Sequence, residues 1–353
     1  MLTGSRVDPR AIPVYSQSVN QLEATVSSSS PSPEKTGLLS RLWTFFKTTF
    51  PWWIAGGLLV YLGLTYDLNK VWMELKKANI AVLLPIWGLS AVLVFLIDSK
   101  SLTYLFSWLN TPVTFRQILP IKGASYFLNI VNYNAAAGAI ALLVKKRTGI
   151  PFLESASSML FLNVIDLTVL TVLVGVGLAL TPAGITPEMY SALFAVTAVI
   201  LGIYIGSLVY WNGGFDFLIL GKLRTWSIFS AFRRARLKHH FALFVVRTGY
   251  ILVFAVIHYV SLHLFRVAVP FAELVIYNSI LTLVGTIPIS FAGLGTTQVV
   301  MVALYAAYGE AEQILAYSTS IIFVFVAARV LIGYWYLGAV SDDLRSLLSR
   351  KRR

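Results

Sequence analysis

Asp166 and Arg329 are the two residues whose positions most need a chemical explanation. Asp166 lies about eleven residues into the apolar run 155–180, and Arg329 about sixteen into the run 313–340; both runs are long enough to cross a bilayer. An unpaired charge at that depth costs several kcal/mol, so each must face protein or water rather than lipid. Two chemistries fit. The residues form an ion pair that fixes helix register, or they hold a polar headgroup together, Arg329 on phosphate and Asp166 on a cationic or hydroxyl group.

Two further apolar runs are interrupted. The run 118–144 contains LNIVNYNAAAG, which places Asn132, Asn134 and Gly138 inside an apolar stretch, and the run 271–308 contains VGTIPISFAGLGTTQ, with Pro288, Ser290, Gly293, Gly295 and Gln298. Backbone broken at membrane depth is tolerated where it is buried in protein or lines a watery cavity. Helix N-termini exposed by such breaks favour anions. The other reading is that the glycines only let helices pack closely.

Other constellations are absent. There is no cysteine, so disulfides, thiolate metal sites and a cysteine nucleophile are excluded. His258 and His263 lack the i, i+4 spacing of a helical ligand pair, and read as interior or interfacial. His239 and His240 read as solvated surface. No paired carboxylates share a span, and Gly293-Leu294-Gly295 follows no strand and precedes no Walker lysine. Neither an enzyme, a cofactor nor a metal is expected. Lys122 and Arg247 read as cations that snorkel to headgroups.

The elements that must position these residues are helices. The chain is 57% hydrophobic and 12% charged, with mean hydropathy +0.76, where soluble domains carry about 25% charge. Six runs, 50–66, 80–97, 155–180, 190–211, 241–265 and 313–340, read as spans, with Trp52, Trp53, Trp211, Trp335 and Tyr336 near their ends. Net charge is +13, but the basic residues collect in loops. Orientation and anionic lipid explain them better than nucleic acid does.

Loop charge decides how the interrupted runs are threaded. The segments KKR at 145–147, the linker 212–240 and the terminal RKRR are basic, whereas 181–189 and 309–312 carry no basic residue. The positive-inside rule places all three basic segments on one side only if both interrupted runs enter and return on the same face. The mildly basic linker 67–79 is the exception. Arms of about 13 residues in 118–144 span roughly 20 Å, short of a 30 Å core. Residues 50–180 and 190–340 then repeat one order of elements with opposite orientation, as transporters with a central site do. The segment 217–240 reads as an interfacial amphipathic helix or as a plain basic loop.

Residues 1–40 are Ser/Pro-rich without apolar periodicity and read as a disordered cytoplasmic tail, 41–345 as the membrane domain, and 346–353 as a basic cytoplasmic tail. No cleavable signal peptide is expected.

IPISFAGLGTTQ at 287–298 resembles the Pro-x-Ser-x-Gly-Gly-x-Gly-x-x-Glu motif of the lysylphosphatidylglycerol synthase transmembrane family. FLNIVNYNAAAGAIALLVKKRTGIPF (127–152) is similar to that family's Asn-rich first hairpin and basic loop. FLNVIDL (161–167) is similar to its Glu-Arg-x-x-Asp segment, and ARVLIGYWYLGAV (328–340) to its Arg-bearing last helix. The likeness covers roughly residues 45–345. The departures are Tyr133-Asn134 and Ala137-Gly138 for Pro-Gly and Gly-Gly, Leu162-Asn163 for Glu-Arg, Ala292 for Gly, and Gln298 for Glu; the first hairpin's downstream Arg is missing. Only a short basic tail follows the last span, so the fused members' aminoacyl-transferase activity is not expected.

The expectation is an all-α polytopic membrane protein, with about six spans and two re-entrant broken-helix hairpins in an inverted repeat. The resemblance implies a multi-pass flippase of the cytoplasmic (inner) membrane that moves an anionic phospholipid or lipid-linked intermediate, with both termini cytoplasmic. Its site is expected at Asp166, Arg329, Asn132, Asn134, Gly138, Pro288, Ser290, Gly293, Gly295 and Gln298. The alternatives are a non-catalytic accessory protein of an envelope-lipid pathway and a membrane enzyme acting on headgroups.

Overall fold

The computed structural model describes residues 53–131, 133–180, 186–213, 219–286 and 294–350. Among them every regular element is helical: α1 Trp53–Thr65, α2 Leu68–Lys77, α3 Ile80–Leu109, α4 Phe115–Val131, α5 Tyr133–Thr148, α6 Phe152–Ala179, α7 Pro187–Asn212, α8 Ile219–Thr225, α9 Ser230–Arg234, α10 Leu237–Leu264, α11 Phe271–Thr286, α12 Thr296–Tyr305 and α13 Ala311–Arg350. Five helices (α3, α6, α7, α10 and the Ala311–Ser341 part of α13) are long and apolar enough to cross a membrane. The first expected span is described only as the shorter α1.

Local chemistry sets the boundaries. Asp67 accepts the Asn69 amide at 2.9 Å to start α2, Asn79 accepts Val82 N to start α3, and Thr186 accepts Met189 N to start α7 just before Pro187. After α5, Gly149 takes φ 76°, the left-handed cap conformation, and Pro151 then introduces α6.

Several boundaries differ from expectation. The helix begun at Ile80 continues past residue 97 to Leu109, because 102–109 stays apolar and Leu102, Leu105, Phe106 and Leu109 are all buried. α4 and α5 have 17 and 16 residues, longer than the expected arms but, at roughly 25 Å, still short of a bilayer core. Linker 67–79 forms helix α2. The segment 217–240 is not one interfacial helix; Ala231 and Phe232 are buried, and Phe232 meets Phe161 edge-on at 5.3 Å between ring centroids. Helix α13 runs on to Arg350, through most of the expected C-terminal tail. The expected N-terminal tail lies outside the described residues.

Contacts sort the loops to two ends of the bundle. At one end Arg234 donates to Leu109 O at 3.0 Å and pairs with Glu154 at 2.5 Å, while Ser158 donates to Asn110 at 2.6 Å. Arg147 and Lys146 pair with Asp343 at 2.7 and 3.5 Å. The C-terminus of α3, both ends of 115–148, the 226–236 linker and the C-terminal part of α13 therefore share this basic end. At the far end Ala78, Leu178, Phe265, Val267 and Tyr305 belong to one buried apolar cluster. Gly309 packs so closely there that a Cβ would come within 2.9 Å of Val267.

Candidate functional site

Four ionisable side chains meet deep in the bundle. Asp98 lies at mid-length of α3, Lys122 in the first half of α4, Asp166 in the middle of α6 and Arg247 eleven residues into α10. Lys122 Nζ is 2.5 Å from Asp98 Oδ2, and Arg247 Nη1 is 2.7 Å from Asp98 Oδ1. Arg247 also grips Asp166 with two nitrogens, Nη2 to Oδ2 at 2.7 Å and Nε to Oδ1. This planar fork on a carboxylate is the geometry for which arginine is suited. Arg247 and Asp98 have side-chain exposures of 6% and 9%, which makes this a buried network. Lys122 and Arg247 do not snorkel: the carboxylates of α3 and α6 offer closer partners than the headgroups do.

Asp166 is thus paired, but with Arg247. Arg329 is half-buried on α13 and makes no hydrogen bond or ion pair among the described residues. Tyr126 and Tyr250 lie within electrostatic range of it. Tyr126 packs edge-on to Phe95 at 5.6 Å, and Arg247 lies 4.1 Å from the Tyr250 ring centroid.

The first hairpin is locked to α13 by interdigitation. Gly123 has no room for a Cβ because Tyr336 fills the space, and Gly333 faces Phe127 at 3.0 Å in the same way. Gly138 differs: a Cβ there would meet nothing within 4 Å. Asn134 is the second residue of α5, its side chain outside the described residues, as is all of Asn132.

In the second interrupted run Pro288, Ser290 and Gly293 lie outside the described residues. Gly295 has φ 82°, and a Cβ there would come within 2.6 Å of Leu58 Cβ on α1. Positive φ and close approach both require glycine. Gln298 Oε1 accepts the Gly295 amide at 2.8 Å, capping the start of α12. The amide oxygen of Gln298, which is 1% exposed, does this without burying a charge.

Asp98 is the member of the centre that sequence reading misses, because a span ending at residue 97 leaves it in a loop. The signal is the apolar stretch 102–109 beyond it. The histidines divide. His258 bonds to Tyr317 in the interior, as expected, whereas His240 is buried and bonds to Tyr204 at 2.9 Å rather than facing solvent. An apolar groove of about 400 Å³ runs along α3 and α10, lined by Leu89, Leu93, Gly249, Leu252 and Val256. It begins within two turns of Asp98 and Arg247 along their helices.

These features define a polytopic helical membrane protein with a buried ionic centre. Residues 52–333 match the family described as the lysylphosphatidylglycerol synthase TM region, and the chain belongs to that family. No curated protein and no solved structure matches it.

Proposed function

We propose that this protein moves a lipid, or a lipid-linked polar intermediate, across the cytoplasmic membrane. The observation that carries the reading is the ionic centre of Asp98, Asp166 and Arg247 with Arg329 beside it, all well inside helices that span by length and composition, joined by Lys122 from the shorter α4. Charge at that depth is retained for a pathway or a pair. Here the pairs account for four of the groups and leave Arg329 for a ligand. The headgroup passes by Arg329 and the ends of the two interrupted runs, while the chains stay in lipid or in the groove along α3 and α10.

The arrangement of ends supports two re-entrant hairpins, one from each face, and hence an inverted repeat. The basic end is cytoplasmic on this reading, which puts both termini inside. The function is transport rather than catalysis, with energy drawn from an ion gradient, the membrane potential or the substrate gradient.

One observation favours the accessory-protein reading: Asp166, Arg247, Asp98 and Lys122 already satisfy one another. Purified protein in liposomes carrying a fluorescent lipid separates the two. Transport faster than in empty liposomes, and lost in Gly295→Val, supports the flippase. Transport no faster than in empty liposomes sinks it in favour of the accessory role.

A further inference from the structure

We propose that Lys122, Asp98, Arg247 and Asp166 form a proton-coupling ladder, in which Asp166 takes up a proton and Lys122 gives one up while Asp98 and Arg247 stay charged. The inference rests on the transport reading and names the ion that drives it.

Order along the bundle comes first. Lys122 is seven residues after Phe115, Arg247 ten after Leu237, Asp98 eleven before Leu109 and Asp166 fourteen after Phe152. These four helix ends meet at the basic end of the bundle. At 1.5 Å per residue the four side chains therefore start about 10, 15, 16 and 21 Å from it. The contacts join the shallowest to the deepest: Lys122 to Asp98 at 2.5 Å, Asp98 to Arg247 at 2.7 Å, and Arg247 to both oxygens of Asp166. Chains of ionisable groups at membrane depth mark proton relays.

Asymmetry comes second. An arginine does not release its proton in a protein, whereas a lysine can. Arg247 is therefore a fixed charge, and Asp98, gripped by two cations, is its fixed counter-ion. The two ends of the ladder have one ionic partner each among the described residues. Asp166 is also the most exposed of the four, at 17% of its side chain. Suppose an O–H bond forms at Asp166 with a proton from water on one side, and an N–H bond breaks at Lys122 Nζ, its proton passing to water on the other. Asp98 and Arg247 still cancel, and the net charge of the four stays zero. Surroundings of low dielectric require that balance.

The identity of the ion comes third. All four carboxylate oxygens of Asp98 and Asp166 accept from nitrogen, which leaves no oxygen cage for a hard metal cation. Other charges nearby are few. The helices α5, α7, α9 and α11, which also pack on α6, carry theirs only near their ends. Around Lys122, α3 adds Lys100, which lies over the rings of Tyr104 and Phe115. Helix α13 adds Arg329 on one side of Tyr336, and on the other Asp343, already paired with Arg147 and Lys146. Tyr126 and Tyr250 present ring faces to Lys122 and Arg247.

The experiment uses the full chain in liposomes with a fluorescent lipid, a trapped pH indicator and the membrane potential clamped. For one proton per lipid, an imposed difference of about one pH unit should shift the lipid's leaflet ratio by about tenfold, with proton entry reported by the indicator. A sodium gradient should have no effect. Lys122→Arg keeps the charge but cannot release the proton, so it should melt near the wild-type temperature and lose the response to pH. Lipid movement indifferent to the pH gradient, movement driven by sodium instead, or a full pH response in Lys122→Arg overturns the proposal. Infrared difference spectroscopy of the purified protein tests the site without transport. Acidification should raise a protonated-carboxyl band that Asp166→Asn removes and Asp166→Glu restores. No such band, or a band unchanged in Asp166→Asn, overturns the proposal as well. The band in a protein that moves no lipid under any gradient would refute transport and leave the proton site standing.

Discussion

Lys122 Nζ lies 2.5 Å from Asp98 Oδ2, joining the first interrupted run to α3 at the centre of the bundle. Asp98 also serves Arg247, so it compensates two cations at once. Asp98→Asn should therefore destabilise the protein by roughly 3–5 kcal/mol, since removing one partner strands buried charge. Adding Lys122→Met should recover part of the loss, because Arg247 keeps Asp166. Thermal melting of the single and double variants in detergent checks this; strictly additive losses would mean that the two side chains do not interact.

A second cycle distinguishes the two arginines. Asp166 and Arg247 share two hydrogen bonds, so Asp166→Asn and Arg247→Gln should each destabilise, and the double change should cost less than their sum by about 0.5–3 kcal/mol. Asp166→Asn with Arg329→Gln should be additive within about 0.5 kcal/mol. Coupling between Asp166 and Arg329 as strong as that with Arg247 would contradict the pairing described.

Much of the helical plan is legible in the sequence because a membrane span leaves a long one-dimensional signal: apolar length, terminal aromatics and loop charge. Asp166 and Arg329 stand out for the same reason. Their partners do not, because pairing depends on how helices rotate and slide against one another, and sequence does not display this. Arg247 and Lys122 look like interfacial cations only while Asp98, the carboxylate that holds them inside, is placed at a helix end. Gly295 is legible because positive φ leaves few choices of residue. Gly138, a glycine with space around it, shows that the same residue type also occurs without such a constraint.

Those two glycines make a paired prediction. Gly295→Ala should destabilise by at least about 1–2 kcal/mol, the cost of a left-handed residue with a Cβ, with the approach of Leu58 added. Gly138→Ala lies inside helix α5 with open space beside it, and should be neutral or stabilising by up to about 1 kcal/mol. Melting temperatures compare the two directly. A harmless Gly295→Ala would show that the turn before α12 relaxes freely.

The tie at the basic end carries a pH signature. Burial raises the Asp343 pKa, but the Arg147 hydrogen bond and the charges of Arg147 and Lys146 outweigh this and hold it below the usual aspartate range. A carboxylate depressed in the folded state contributes stability that is present above its unfolded pKa and lost as pH falls through the folded value. The pair's contribution should thus be fully present and unchanging with pH near neutrality, and be lost in acid below about pH 4. Asp343→Asn should lower the neutral-pH melting temperature slightly and flatten the acid limb. An unchanged acid limb in that variant would assign it to other carboxylates.

Threading can be read by chemical labelling, because the chain has no native cysteine. Arg116 and Lys145 are exposed near the two ends of 115–148, and Phe271 and Glu310 are exposed near the two ends of the second run. If each run turns back within the membrane, cysteines at 116 and 145 share one side, and those at 271 and 310 share the other. The positive-inside rule makes the first side cytoplasmic. In intact cells an impermeant maleimide should therefore react with 271 and 310 and spare 116 and 145 until the cells are opened. A run that crossed once would split its own pair, with one member labelled and the other protected. Split pairs would refute the hairpins, while intact pairs with the sides exchanged would keep the hairpins and reverse the orientation.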